Sequence, residues 1–174
     1  MAHKDLIAAE HFSNRLLADT RYGLEDRLEH LGILQRQGAP GLAECLHQVQ
    51  QQALTNAASL YAVSAWMVAN GLATNAVAWL GACPANLRKQ QPVPLALAEA
   101  LLAARNWQGL GRLLQGQKWG EREYLRLAFL SQAAGQERQD LGAELCWRAA
   151  LREAGERLGA LAALLGLAQA WRRD

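Results

Sequence analysis

The stretch AELCWRAAL (residues 143–151) places a small, an aromatic, a second small and an aliphatic residue at positions 143, 147, 150 and 151. Residues three and four apart are neighbours on the surface of an α-helix, so this spacing indicates one helix with one packed side. The same spacing is typical of an ordinary amphipathic helix and of one copy of a repeated helical unit. The rest of the chain decides between these two interpretations.

Apolar residues recur at helical spacing along almost the whole chain of 174 residues. β-branched residues are sparse, and no run alternates apolar and polar residues for long, so we expect no strands. The pattern predicts an all-α protein with about ten helices. Their apolar positions span residues 6–17, 24–34, 42–53, 60–68, 76–83, 97–102, 110–114, 121–136, 139–154 and 156–172. The connections are short, so successive helices are expected to lie antiparallel.

The opening pattern recurs at a nearly fixed interval. Its first position, Ala143, has equivalents at Leu110 and Ala76, and one further step back reaches Leu42, which indicates a fainter earlier copy. The interval of about 34 residues is typical of stacked helix pairs.

With these residues the chain resembles the tetratricopeptide (TPR) repeat family, best over residues 57–171. Ala143, Trp147, Ala150 and Leu151 look like the small, aromatic, small, leucine signature of the second helix of a pair. The resemblance implies a right-handed α-solenoid of antiparallel helix pairs. The domain prediction is an N-terminal segment, 1–56, with a weak repeat and a TPR-like array, 57–174. One continuous solenoid of both parts is the open alternative.

Some positions match the family and others depart from it. Gly71 matches the glycine of the turn between paired helices, whereas Arg138 stands where that glycine is expected in a later pair. Trp107 resembles the aromatic residue that follows the turn. The other departures are Leu110 and Gln117, where small residues are expected, and Ser64 and Ala98, where a glycine is usual.

The resemblance implies a non-catalytic scaffold that binds a peptide or helix of a partner protein on the concave face, which the first helices line. The partner-binding residues that it implies are Tyr61, Ala65, Val68, Leu95, Glu99, Leu102, Leu125, Ala128 and Gln132. Three alternatives stay open: a structural spacer within a larger repeat protein, an RNA-binding helical repeat, and a compact helical-bundle enzyme. The first-helix positions are too apolar for base reading, which disfavours RNA.

Charge and hydropathy restrict the partners further. The net charge is only +2 and no basic run stands out, so nucleic acid is not expected. Residues 45–87 contain no charged residue, but Gln50–Gln52, Asn56, Asn70 and Asn75 interrupt the segment, so no membrane span is predicted. The uncharged outer faces of these helices indicate an interface. The last helix, LGALAALLGLAQAW, has no polar outer face, which predicts further repeats or self-association through it.

The residue types of catalytic and metal sites do not assemble into a motif. The three cysteines are odd in number and far apart, which indicates a reducing, cytoplasmic environment. Cys45 and His47 form the only close Cys/His pair, and residues two apart on a helix do not face each other. We therefore predict no catalytic residue, no metal site and no cofactor.

Overall fold

The structure is a computed structural model that describes residues 23–171, and every regular element in this part of the chain is helical. One 3-10 turn lies at Gly120–Arg122, and no strand occurs within the described range. The ten α-helices there are α1 (Leu24–Gln37), α2 (Leu42–Ala53), α3 (Ala57–Ala69), α4 (Ala73–Ala82), α5 (Ala85–Arg88), α6 (Val93–Ala103), α7 (Trp107–Leu114), α8 (Glu123–Gln136), α9 (Asp140–Ala154) and α10 (Leu158–Trp171). The all-α prediction is confirmed.

Most of the predicted helices have a counterpart. The helix predicted at residues 6–17 lies outside the described residues, and each of the others corresponds to one helix. The sequence did not predict α5, because a single turn of four residues after Pro84 is too short to show a period. Pro94 lies in the first turn of α6, where a missing N–H group leaves no helical hydrogen bond unmade.

Four of the turns between helices share one backbone geometry. In each turn a residue with positive φ follows the first helix, and the N–H group of the next residue donates to the carbonyl five residues before it, as in a Schellman turn. The residues with positive φ are Gly38, Gly71, Arg105 and Arg138, with φ of 63°, 78°, 54° and 59°. They follow one another at the same interval as the sequence pattern, about 34 residues. The turns join α1 to α2, α3 to α4, α6 to α7 and α8 to α9.

The fold divides into two compact units, and the boundary lies within α6, between Leu97 and Ala98. This division differs from the one that we predicted at residues 56 and 57, which rested on the strength of the repeat rather than on compactness. The prediction of a weak N-terminal repeat therefore stays a prediction.

The core of the first unit is built by one side of each of its longer helices. Leu31 of α1, Val49 of α2 and Leu60 of α3 are fully buried, as are Val63, Met67, Ala76 and Leu80. The Asn56 side chain accepts a hydrogen bond from the Ser59 N–H at 2.8 Å, which satisfies a free donor in the first turn of α3. Three of these buried side chains, Leu60, Val63 and Met67, belong to α3, which is therefore a central helix of this core.

In the second unit α8, α9 and α10 share a cluster of small residues and one leucine. Its buried members are Ala128, Ala150, Ala154, Ala160 and Leu164, and both Trp147 and Trp171 pack against them. The Ser131 Oγ donates to the Ala143 carbonyl at 2.7 Å, and a Cβ at Gly135 would lie 3.7 Å from the Cβ of Ala143. Small residues therefore allow α8 and α9 to approach closely, which is the packing expected from the opening stretch.

Candidate functional site

A surface groove runs between α1 and α3 in the first unit. It consists of two open depressions that follow one another along these helices, with volumes of about 530 and 420 Å³. The first is lined by Leu28, Glu29, Gly32, Ile33, Arg36, Trp66 and Asn70. The second is lined by Gly23, Leu24, Glu25, Asp26, Ala58, Ser59 and Ala62. We call the two depressions together the α1–α3 groove.

The two walls of the groove run in the same direction. The start of α1 lies beside the start of α3, and at the far end the Gln35 Nε2 donates to the Asn70 carbonyl at 3.1 Å. Residues that face each other across the groove are one sequence period apart, about 34 residues. Two such pairs are Gly32 and Trp66, and Arg36 and Asn70, which line the same depression. The groove is therefore formed by equivalent positions of two successive helix pairs.

Gly32 and Trp66 form the middle of the groove. A Cβ at Gly32 would lie 4.0 Å from the Nε1 atom of Trp66, so a side chain there would occupy the space beside the indole. The indole is only half-buried, and its Nε1–H group donates no hydrogen bond within the described residues. The Asn70 side chain donates to the Trp66 carbonyl at 2.7 Å and thereby fixes the end of α3. This part of the groove offers a ligand an aromatic surface and a hydrogen-bond donor.

The charges of the groove lie on one wall and differ between its ends. The first half of α1 carries three acidic residues, Glu25, Asp26 and Glu29, whereas Arg36 lies near the end of the helix. The Asp26 carboxylate also accepts a hydrogen bond from the Gly23 N–H at 2.9 Å, which holds it at the positive end of the helix dipole. The α3 wall carries no charge. A segment bound in the groove therefore meets negative charge at one end and positive charge at the other.

The partner-binding residues predicted from the resemblance do not line this groove. Tyr61 and Val68 of α3 are partly buried, and Val68 lies two residues from both Trp66 and Asn70. Residues two apart do not share a helix face, so Val68 cannot lie beside those two side chains. Ala65 is exposed but is also not among the lining residues. Within this unit, the predicted residues therefore form no part of the groove.

Burial differs among the remaining predicted residues. Leu95 is 6% exposed and Ala128 is fully buried, so neither side chain offers much surface to a partner. Glu99, Leu102, Leu125 and Gln132 are partly buried on α6 and α8 of the second unit. Their part in binding stays a prediction.

The groove was not predicted, because no binding position was derived from α1. A usable signal was present in the repeat. One period back from Trp66 lies Gly32, a glycine inside a helix that no turn explains. Extending the repeat through the first helix of the earlier pair would have identified this position.

The cysteines do not provide an activated nucleophile. Burial raises the pKa of the Cys45, Cys83 and Cys146 thiols above its ordinary value of 9.0, and neighbouring arginines oppose this only in part. A raised pKa leaves little thiolate near neutral pH. Within residues 23–171, no three His, Cys, Asp or Glu side chains lie close enough together to hold a metal ion.

A second unusual surface lies in the last two described helices. The exposed large hydrophobic side chains of residues 23–171 all belong to α9 and α10: Leu141, Leu145, Leu151, Leu158 and Leu165. The exposed positions of residues 45–87 are instead mainly alanine, glycine, asparagine and glutamine, so that uncharged segment presents small side chains. No helix in the described part of the chain is both long and apolar enough to cross a bilayer.

No similar protein was found, since no family model, no curated protein and no solved structure matches this chain. The likeness to TPR repeats therefore rests on the residues of this chain alone.

Proposed function

We propose that this protein is a non-catalytic scaffold that binds a segment of a partner protein in the α1–α3 groove. The proposed architecture is a TPR-like, right-handed solenoid of antiparallel helix pairs. The four equivalent turns, which recur at the interval of the sequence pattern, support this architecture. In the second unit, the segments that precede α8 and α10 are also hydrogen-bonded at about one period, because the Arg157 guanidinium donates to the Glu121 carbonyl at 2.9 Å, 36 residues away.

The single observation that carries the binding proposal is the open space at Gly32 beside the half-buried Trp66. Glycine lowers helix stability relative to alanine by about 1 kcal/mol, so Gly32 destabilises α1. No turn or close contact at this position requires a glycine. Aromatic side chains that keep part of their surface accessible are enriched at protein interfaces. A partner side chain inserted between α1 and α3 would explain why residue 32 is a glycine and why the Trp66 indole keeps part of its surface accessible.

The dimensions and charges of the groove describe the segment that it would bind. A wall of 14 residues such as α1 is about 21 Å long, which suits a helix of about 14 residues or an extended stretch of about six. The middle of the groove favours an apolar anchor against the indole. The acidic end favours a basic residue of the ligand, and Arg36 favours an acidic one at the other end.

The test fills the groove without removing any native contact. Gly32→Leu places a side chain beside the indole, whereas Gly81→Leu adds the same side chain to α4, where a Cβ meets open space. Both variants remove a helical glycine, so both should keep the fold. We expect peptides selected on the wild-type protein from a displayed library of 14-residue sequences to bind Gly32→Leu at least about tenfold more weakly by calorimetry, and to bind Gly81→Leu unchanged.

A double variant tests the direction in which the peptide lies in the groove. Exchange of the two charges in Glu29→Arg with Arg36→Glu should favour peptides whose charges are reversed. If the selected peptides bind Gly32→Leu as tightly as they bind the wild-type protein, the groove is not their binding site. A library that yields no binder at all would favour the alternative that the protein is a structural spacer.

We also propose that the protein works in the cytoplasm. All three of its cysteines, Cys45, Cys83 and Cys146, are free thiols, which is usual in a reducing compartment. A thiol count on protein isolated from its cell without reductant should find three free thiols.

A further inference from the structure

We propose that the outer face of α10 binds the same face of a second copy of this chain, with the two helices parallel about a twofold axis. This inference goes beyond the proposed function and concerns a different surface, since the α1–α3 groove belongs to the first unit and α10 to the second. It rests on which side chains α10 exposes, on what lies above its glycines and on its charge.

The outer face of α10 repeats a leucine and a glycine at an interval of seven residues. Leu158 and Leu165 are 83% and 60% exposed, and each is followed directly by a glycine, Gly159 and Gly166. Seven residues are close to two helical turns, so the two leucines form a ridge along the helix. The two glycines form a furrow beside it. Exposed Ala162 lies midway between ridge and furrow.

Contacts among residues 23–171 do not explain the two glycines. A Cβ at Gly159 or at Gly166 would meet no atom within 4 Å, and neither residue has the positive φ that favours glycine. Glycine inside a helix is unfavourable relative to alanine, so both positions weaken α10 without an internal purpose. Glycine at an open position does allow another helix to come close. No described residue of the chain fills the space above the two glycines, so this face is open to a second helix.

A second copy supplies the matching surface. In a parallel pair about a twofold axis, the leucine ridge of each helix faces the glycine furrow of the other. Leu158 then lies near Gly159 of the second copy, Leu165 lies near its Gly166, and Ala162 faces its own equivalent. The same surface is used twice, as in an isologous dimer interface, and the leucines enter holes as in a coiled coil.

The charge of α10 also fits this arrangement. Each residue at the centre of a parallel twofold pair faces its own equivalent, so a charged side chain there would oppose a like charge. The 14 residues of α10 include no Asp, Glu, Lys or Arg. Two copies can therefore meet without repulsion or desolvation of charge, which a partner with a charged surface could not do.

The size of the face determines how strong the pairing is. A helix of 14 residues offers a strip about 21 Å long and about 10 Å wide. This is less than the ~600 Å² per partner at the lower limit of specific stable interfaces, so we expect a reversible dimer that responds to concentration.

Sedimentation measures the association directly. Between about 10 µM and about 500 µM protein, the apparent mass should rise from 19.0 kDa towards twice this value. Leu158→Glu with Leu165→Glu should keep the mass at that of the monomer throughout. The matched control is Leu141→Glu with Leu145→Glu, which changes two exposed leucines of α9 in the same way and should dimerise like the wild type.

The glycines provide a test that does not depend on weakening the fold. Gly159→Leu with Gly166→Leu should raise the melting temperature of the monomer, because both changes favour a helix, and should abolish the dimer by filling the furrow. An unchanged or stronger dimer in this variant would overturn the proposed contact.

Disulfide cross-linking determines the orientation. In a background with the three native cysteines changed to alanine, Ala162→Cys and Gln169→Cys should each form a dimer disulfide, because both residues lie on the central line of the face, where each residue meets its equivalent. Ala170→Cys, which lies to the side of the face, should not. A disulfide at 162 without one at 169 would indicate antiparallel helices and overturn the proposal. A wild-type protein that stays monomeric at every concentration would overturn it as well.

Discussion

At the residue scale, the clearest departure from the family pattern is Arg138, which stands where a glycine is expected. The structure keeps the turn unchanged, with φ of 59° at Arg138 against 78° at Gly71. The hydrogen bond from the Gln139 N–H to the Ala134 carbonyl, at 2.9 Å, matches that from Leu72 to Met67, at 2.8 Å. The turn therefore forms with its hydrogen bond intact although Arg138 disfavours a left-handed backbone.

Arg138→Gly should stabilise the protein. A residue with a Cβ in the left-handed region costs about 1 kcal/mol relative to glycine, and Arg138 is exposed, so its side chain has little packing to lose. We expect the free energy of unfolding to rise by about 1 kcal/mol in urea titrations. The reciprocal variant, Gly71→Arg, should lower it by a similar amount. A destabilised Arg138→Gly protein would contradict this account of the turn.

At the element scale, one ion pair connects the end of α7 to the start of α8. The Arg126 guanidinium donates to both carboxylate oxygens of Glu123 and, through Nη1, to the Leu114 carbonyl at 2.9 Å. The Glu123 carboxylate also accepts the Trp119 N–H at 2.8 Å. The Arg126 hydrogen bonds hold the pKa of Glu123 below its ordinary value of 4.5, and the Trp119 N–H adds to this effect. The pair thus fixes the connection between two helices.

Glu123→Gln should remove part of the pH dependence of the free energy of unfolding. Because folding lowers the pKa of Glu123, the unfolded chain binds more protons in acid, and stability falls as pH decreases from about 4.5 through the folded pKa. At pH 7 we expect the variant to be less stable by about 1.5 kcal/mol, and we expect this difference to shrink below pH 4.5. Urea unfolding over a pH series measures both effects.

The matched control is Glu144→Gln. Its pair with Arg148 is similar in kind but far more exposed, with side-chain exposures of 53% and 67%, so its loss should change stability by less than about 0.5 kcal/mol at any pH. A stability difference for Glu123→Gln that is as large at pH 3 as at pH 7 would disprove the role of its charge.

At the scale of the whole molecule, the proposed solenoid can be tested by its size. A compact globular chain of 174 residues has a radius of gyration of about 16 Å, and a solenoid of the same length has a larger one. Small-angle scattering should therefore give a value clearly above about 16 Å for the monomer. The measurement should be made at low protein concentration, where dimers formed through α10 are dissociated. A value of about 16 Å would instead favour a closed helical bundle.

The helices and the regular spacing of their turns followed from the sequence alone. Both depend on local interactions: apolar residues three and four positions apart, caps such as Asn56, and a turn that closes with hydrogen bonds over five residues. Such patterns are visible along the chain, and even Arg138 could be recognised as the residue in place of glycine.

Only the tertiary structure decided which surfaces are open. Gly32 and Trp66 line the α1–α3 groove, whereas Tyr61 and Val68, whose part in binding stays a prediction, do not. In the same way, Leu95 is buried, whereas Leu158, the same residue type, is exposed. The physical reason is that the exposure of a side chain depends on helices that can be a full repeat away in sequence. Periodicity shows that a helix has a packed side, but the neighbours that cover it are fixed only when the helices come together.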